Sequence, residues 1–246
     1  MSKHLMISPN HRLNPVILMA GGLGSRLKPL TDECPKPMLS IGGRPILETI
    51  LMNFIEHGFH QFYIAVNYKS DVITRYFGDG QRYGVEIQYL YESERMGTVG
   101  ALSLLPEIPK MPFFVMNSDL LTSVNFTQML AFHEENKSIA TMGIRKHYHQ
   151  IPYGVLNLDQ HRITRLIEKP IEDYFVNAGI YILSPNALDF MPKNCFYDMP
   201  DLFNSMIREN QTTCAFPLRD YWLDIGKIED FERANQAYSD EFALEY

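Results

Sequence analysis

Short apolar runs and helical patterns take turns along the first half of the chain, and few folds accommodate that order. "PVILMA" (15–20) reads as a buried strand and "PILETILMNFIEHG" (45–58) as an amphipathic helix ending at Gly58. "QFYIAVN" (61–67), "VEIQYLYE" (85–92) and "PFFVMNSD" (112–119) are further strands. Between and after them lie helical patterns at 70–80, with Ser70 or Asp71 as the cap, at 97–105 and at 125–136. Such βαβ alternation specifies a mainly parallel sheet with helices on both faces. The second half reads differently. Closely spaced strand-like segments at 138–145, 153–159, 162–170, 175–184, 212–218 and 221–226 are interrupted by one helix at 198–210 and followed by another at 227–242. This is an accessory, partly antiparallel region sharing the same core. No repeat or long linker divides the 246 residues.

Composition narrows the function classes. Hydrophobic residues make up 46% and charged residues 21%, ordinary for a globular protein. A formal net charge of -7 makes a general nucleic-acid binder improbable, so any bound anion must meet a local basic site. Cys34, Cys195 and Cys214 lack the spacing of a disulfide framework or zinc site and suit a reducing, cytoplasmic setting. No apolar run approaches a membrane span. Residues 1–14 read as a polar leader or linker remnant.

Ligands in doubly wound sheets bind beyond the carboxyl ends of parallel strands, and the notable motifs fall there. After the first strand comes "AGGLGSR", with Ala20, Gly21, Gly22, Gly24, Ser25 and Arg26. Glycines let backbone N–H groups converge on phosphate oxygens, and Arg26 adds a bidentate donor. The turn lacks the GK[ST] ending of a P-loop and the usual dinucleotide-binding spacing. Taken alone it could also be no more than a tight strand-to-helix turn. Lys36, bracketed by Pro35 and Pro37, is a stiffly held point charge. Asp119 and Asp224 each end an apolar strand. Two carboxylates with phosphate oxygens and water suit Mg²⁺, although a lone Asp after a strand is as often a cap.

In combination, "GGLGSRLKPLTDECPKPML" resembles the signature of the sugar-1-phosphate nucleotidyltransferases, and the resemblance runs through nearly the whole chain. "ESERMGTVGAL" is similar to the nucleoside-contacting segment and "NSD" to the first metal aspartate. "YGV", "EKP" and "NAGIY" are similar to the sugar and sugar-phosphate contacts, and "WLDIG" to the second metal aspartate. The resemblance implies a Rossmann-like, GT-A-like α/β fold in a single domain over 15–246, with a nucleotide-binding half (15–145) and a sugar-binding half (146–246). It implies in-line attack of a sugar-1-phosphate oxygen on the α-phosphorus of an NTP, releasing pyrophosphate. Arg26, Lys36, Asp119 and Lys169 would be catalytic, and Asp119 and Asp224 would hold Mg²⁺. Glu94, Gly97 and Thr98 would join the glycine turn on the nucleotide. Gly154, Glu168, Lys169, Asn177 and Gly179 would hold the sugar phosphate.

Adjacent residues on a strand face opposite ways, so Glu168 and Lys169 share a pocket only if the strand ends there, which Pro170 favours. Many relatives carry glycine where this chain has Ser118, which could crowd the phosphates or hydrogen-bond locally. Glu92 and Glu94 offer paired acceptors that match the N1–H and N2–H₂ edge of guanine, so GTP is favoured over UTP, dTTP or CTP. Mannose- or glucosamine-1-phosphate is the favoured acceptor. Glu172 and Asp173 could greet an amino sugar, or form an acidic surface turn. His147 and His149 read as a solvated strand end. A regulatory subunit without catalysis is the rival reading, resting on Ser118 alone. Regulatory domains upstream and a homo-oligomer are both compatible with the pattern.

Overall fold

A computed structural model describes residues 11–193 and 195–241. Most of the expected leader, residues 1–10, lies outside the described residues. The chain opens with β1 (Val16–Met19), a small hairpin of β2 (Ser40–Ile41) and β3 (Arg44–Pro45), and α1 (Ile46–Glu56). Then come β4 (Gln61–Val66), α2 (Ser70–Phe77), β5 (Glu86–Tyr91) and the short α3 (Gly97–Gly100). β6 (Phe113–Asn117), β7 (Leu120–Thr122) and α4 (Phe126–Glu135) follow. The second half holds β8 (Ala140–Gln150), β9 (Val155–Asp159), β10 (Arg162–Ile167) and β11 (Ile171–Leu183). It ends with α5 (Met199–Arg208), β12 (Thr213–Pro217), β13 (Trp222–Asp224) and α6 (Ile228–Glu241).

Seven strands form the main sheet in the order β12-β8-β11-β6-β1-β4-β5. The β1–β4, β1–β6, β4–β5 and β8–β12 pairs are parallel, and β11 runs antiparallel to both neighbours. Strands from both halves of the sequence thus join one sheet. Its central strands are buried on both faces, and alternate side chains feed two cores. Val16 and Leu18 of β1, Phe114 and Met116 of β6, and Ile180 and Ile182 of β11 pack with α1, α2 and α4. Ile17, Phe113, Val115, Tyr181 and Leu183 point the other way, against Val99 and the Met199, Leu202, Phe203 and Met206 stripe of α5. That two-sided demand explains the near-continuous apolar runs read from the sequence.

The helix expected over 97–105 is α-helical only over Gly97–Gly100, and the expected cap of α2 is absent. The residue preceding α2 is Lys69 in the left-handed region (φ 49°), with no side-chain cap, in place of Ser70 or Asp71. At α4, by contrast, the Asn125 side chain accepts the Gln128 N–H at 2.9 Å, an ordinary N-cap.

β8 and β11 run well past the sheet. Their outer halves pair only with each other, from Arg145↔Val176 out to Gln150↔Ile171. β8 is parallel to β6 and β1, so this ribbon rises from the sheet edge that carries the carboxyl ends of the parallel strands. The β9–β10 hairpin caps it. A bulge between Asn177 and Tyr181 of β11 marks the ribbon's root.

Candidate active site

Strand order reverses at β1, whose neighbours β4 and β6 lie on either side. This is the position at which an open α/β sheet leaves a crevice. Beyond it lies a cavity of about 350 Å³ bounded by Gly21, Gly22, Lys36, Glu92, Gly97, Thr98, Ser118, Asp119 and others.

The glycine turn forms one wall. Gly24 sits in the left-handed region (φ 63°), its carbonyl accepting the Thr31 hydroxyl at 2.9 Å, and a Cβ there would meet Lys36 Cβ at 3.0 Å. The turn therefore lies directly on the lysine segment. A Cβ on Gly21 would come within 2.4 Å of Glu92 Oε1, whereas one on Gly22 would meet nothing within 4 Å and would protrude into open space. Gly21 and Gly22 face the cavity; Gly24, Ser25 and Arg26 stand behind or beside it.

Lys36 opens a single 3₁₀ turn after Pro35, and only 9% of it is accessible. Its Nζ donates to Asp119 Oδ2 at 2.5 Å. Asp119 Oδ1 is buried and has no hydrogen-bond partner among the described residues. A desolvated carboxylate oxygen with an open coordination position is the chemistry of a cation ligand. Asp224 reaches the same place through β13, which pairs antiparallel with β7 so that Asp224 faces Leu120, and the Ile225 N–H donates to the Asp119 carbonyl at 3.0 Å. Asp224 is exposed as a residue, but partial desolvation of its carboxyl, then repulsion by Asp119, push that carboxyl above its ordinary range, while Lys36 and Arg26 pull it back. The Arg26 guanidinium lies near Gly226, just beyond Asp224, with Nη1 3.6 Å from where a Cβ on that glycine would be. Arg26, Lys36 and Asp119 therefore all act on Asp224, although the four span most of the sequence; of them, Lys36 and Asp119 line the cavity. Two adjacent carboxylates, one with an orphaned oxygen, fit a divalent cation.

Ser118 resolves into a local role. Its hydroxyl donates to the Met19 carbonyl at 2.6 Å and it is 3% exposed, so it ties the end of β6 to the end of β1. The hydroxyl is spent on the backbone.

The opposite wall departs from the sequence reading. Glu94 is exposed and is not part of the cavity wall; Glu92 is. Glu92 is fixed, with Oε2 accepting the Met96 N–H at 3.0 Å. Burial raises its carboxyl, opposed by that N–H and by Arg95. Thr98 does line the cavity, but its N–H and hydroxyl both donate to Asp198 Oδ1, at 2.8 and 3.1 Å. Gly97 (φ 78°) is required by the Tyr197 carbonyl, which a Cβ would approach to 2.5 Å. The segment before α5 is thus zipped onto the base of α3, and Phe196 and Asp198 enter the cavity wall. Sequence reading had assigned no role to Arg95, Phe196 or Asp198. Asp198 could have been noticed as a capping residue one position before the "MP" that opens α5.

The sugar-side residues are placed apart from this wall. Asn177 and Gly179 lie at the bulge of β11: the Asn177 side chain accepts the Gly179 N–H at 2.9 Å, and Gly179 lies against Asn117, which does line the cavity. Glu168 and Lys169 are exposed on the ribbon, between the end of β10 and the start of β11. Lys169 adopts φ 45°, so the chain turns there and the strand alternation that would separate the pair is broken. A Cβ on Gly154 would lie 3.0 Å from Glu168 Oε2, so Gly154 and Glu168 are neighbours. Trp222 donates its indole N–H to the Ala178 carbonyl at 2.9 Å and packs on the core beside Asp224. His147 and His149 lie on one face of the ribbon, and no group of His, Cys, Asp or Glu among the described residues is arranged as a three-ligand metal site. All three cysteines are free. No helix among the described residues is long and apolar enough to cross a membrane.

A mannose-1-phosphate guanyltransferase from Yarrowia lipolytica is 33% identical over 223 residues, covering 87% of this chain and 61% of that protein. The chain spans about three fifths of the length of the curated relatives it matches. Among solved structures, HddC from Yersinia pseudotuberculosis superposes with a TM-score of 0.72 at 25% identity, covering 92% of this chain and all of that one. A putative glucose-1-phosphate thymidylyltransferase from Bacillus anthracis shares the fold, with a TM-score of 0.74, 21% identity, and coverage of 94% and 96%. The family model described as nucleotidyl transferase matches residues 15–241, and the chain belongs to that family.

Proposed function

We propose that this chain transfers a nucleoside monophosphate from an NTP, preferentially GTP, to a sugar-1-phosphate, forming an NDP-sugar and releasing pyrophosphate. The observation that carries the reading is the Lys36–Asp119 pair, with its orphaned carboxylate oxygen, set beside Asp224 under the glycine turn. Mannose-1-phosphate is the favoured acceptor, because the curated relatives at about a third identity are named for it; glucosamine-1-phosphate is next. The compartment consistent with free cysteines is the cytoplasm.

Both reactants are polyanions, so catalysis is mostly charge neutralisation and alignment. Backbone groups of Gly21 and Gly22 face the triphosphate, and Arg26 and Lys36 neutralise it; Ala20, expected with them, is buried and spends its N–H on the Ala65 carbonyl at 2.8 Å. A sugar-phosphate oxygen attacks the α-phosphorus as the bond to the bridging oxygen of pyrophosphate breaks; no side chain becomes covalently attached. Asp119 and Asp224 would hold Mg²⁺, which when bound supplies positive charge to the phosphate oxygens. The Asp119 carboxylate also keeps the Lys36 ammonium aimed into the cavity. Lys169 meets the sugar phosphate, and Glu168, Gly154, Asn177 and Gly179 meet the sugar. On the base side Glu92, inside the wall, replaces Glu94 as the acceptor facing guanine, with Gly97 and Thr98 beside it.

The test is a grid of NTPs against sugar-1-phosphates with Mg²⁺, read as pyrophosphate. Release confined to GTP with mannose- or glucosamine-1-phosphate supports the reading. Release with UTP or dTTP retains the chemistry and discards the guanine assignment. Silence in a protein that still binds nucleotide returns the regulatory-subunit alternative.

A further inference from the structure

A pocket of about 290 Å³ lies at the other edge of the sheet from the active site. It opens where β6, β8 and β12 begin and β11 ends, and Pro112, Ile139, Ser184 and Thr212 flank those four strand ends. Ser118 and Asp119 stand beyond the far end of β6, so roughly 17 Å of strand separates the two sites. The volume is that of about ten waters, at the small end of metabolite sites.

The floor is fixed by bonds within the chain. The Ser184 hydroxyl donates to the Ser138 carbonyl at 3.0 Å, so towards His133 Nε2, also at 3.0 Å, it accepts. The Thr141 hydroxyl then donates to Nδ1 at 2.8 Å. Burial lowers the His133 pKa to about 4, so the ring is uncharged near neutral pH. The wall differs. Glu134, Lys137 and Asn186 are exposed, and among the described residues none of their side chains has a hydrogen-bond or ion-pair partner. Opposite charges three apart commonly pair on a helix. Here Lys137 lies past the end of α4 at φ 50°, off the helical line that carries Glu134. One carboxylate and one ammonium therefore border a pocket whose histidine is neutral. A simple anion would meet repulsion from Glu134, and a simple cation from Lys137. A small molecule bearing one group of each sign satisfies both.

We propose that this pocket is a second binding site, for a compact zwitterion, with its ammonium on Glu134, its oxyanion on Lys137 and the Asn186 amide on its polar skeleton. Free amino acids and amino-sugar phosphates share that chemistry. An occupant would brace the start of β6, the strand whose other end delivers Asp119. That regulatory consequence rests on the transferase reading above; the binding itself does not.

Isothermal titration calorimetry of the full chain tests the binding without turnover. The zwitterions are serine, glutamate, glutamine and glucosamine-6-phosphate; the controls are acetate, inorganic phosphate and methylammonium. At least one zwitterion is expected to bind with a Kd of about 1 mM or below, at least ~10-fold tighter than any control. Binding by the amino acids or by the sugar phosphate alone identifies the source. Lys137→Met and Glu134→Gln should each weaken it by ~10–100-fold. Both positions are exposed, so the melting temperatures should match the wild type. Glu134→Gln should also admit acetate or phosphate, because only the positive charge remains. Glu135→Gln, on α4 but outside the wall, and Lys169→Met, in the proposed sugar site, should bind as the wild type does. The proposal is overturned if no zwitterion binds below about 10 mM, if binding survives both wall variants, if Lys169→Met abolishes it, or if phosphate binds the wild type as tightly. None of these results bears on pyrophosphate release, which tests the transferase reading separately.

Discussion

Lys36 Nζ and Asp119 Oδ2 meet at 2.5 Å across 83 residues of sequence. The pair joins the proline-braced turn after β1 to the carboxyl end of β6. Lys36 is nearly buried, and the second Asp119 oxygen has no partner among the described residues, so removal of either charge leaves the other poorly compensated. Lys36→Met is expected to lower pyrophosphate release by about 10²–10³-fold and to cost about 2 kcal/mol of stability. The Lys36→Met, Asp119→Asn double variant should recover part of that stability and none of the activity. Urea unfolding and steady-state kinetics on the two single variants and the double variant check the split.

Two neighbouring glycine sites separate folding from binding. An alanine at Gly97 meets the Tyr197 carbonyl at 2.5 Å from a left-handed backbone, so Gly97→Ala should lose about 2–3 kcal/mol and loosen α3 from α5. Gly22→Ala meets nothing. It should melt within a degree or two of wild type, yet raise KM for the NTP about tenfold or more by placing a methyl group where phosphate is proposed to lie. Thermal melts and NTP titrations of the two variants distinguish them; an unchanged KM in Gly22→Ala would remove the phosphate reading of that turn.

Much of this was legible beforehand because it depends on local pattern. The strands at 15–20 and 112–119 were recognisable as buried on both faces, and the motifs at their ends share the expected cleft. Other contacts depend on chain segments brought together from far away. The hydrogen bonds between Thr98 and Asp198 span 100 residues, and no periodicity announces that Gly97 makes room for a carbonyl. Glu92 and Glu94 read alike as base acceptors because sequence does not show which of two nearby carboxylates turns inward. The outer halves of β8 and β11 were shortened for a related reason. "KHYHQ" and "IEDYF" are mostly polar or exposed, and only pairing with each other makes them strands.

Ser118 offers a mild perturbation near the proposed chemistry. Its hydroxyl bonds the Met19 carbonyl, which also receives the Ser118 N–H at 3.3 Å. Ser118→Ala should therefore cost about 1 kcal/mol and change kcat less than threefold. Ser118→Gly should behave similarly, with a further small loss from backbone entropy. A gain of tenfold or more in kcat for Ser118→Gly would show that the side chain crowds the phosphates.

His133 reports on pH away from the cavity. Its ring is 1% exposed and bonded at both nitrogens, to the Thr141 hydroxyl at 2.8 Å and the Ser184 hydroxyl at 3.0 Å. Burial lowers its pKa to about 4. The unfolded chain therefore binds a proton that the folded chain refuses between about pH 6.5 and 4, and stability falls as pH drops through that window. His133 should account for up to ~3 kcal/mol of the acid-side loss. Urea midpoints at pH 7.5 and 5 for the wild type and His133→Asn measure it: the variant should start less stable and decline less.

Asp224 should trade stability for function. Partial desolvation and the neighbouring Asp119 charge raise its carboxyl above the ordinary range, so its ionised form is held at a cost in the absence of a cation. Asp224→Asn removes the repulsion while keeping nearly the same shape. It is expected to melt a few degrees above the wild type in EDTA, as proteins commonly do when a like-charge active-site pair is relieved. Added Mg²⁺ should raise the melting temperature of the wild type, because an ion that binds only the folded state stabilises it by mass action. The same addition should leave Asp224→Asn almost unchanged and its pyrophosphate release at least ~100-fold below wild type. Differential scanning calorimetry with and without Mg²⁺ checks each part independently of turnover. A variant less stable than wild type in EDTA would show that Asp224 serves the fold, and a full Mg²⁺ response in the variant would remove Asp224 from the proposed cation site.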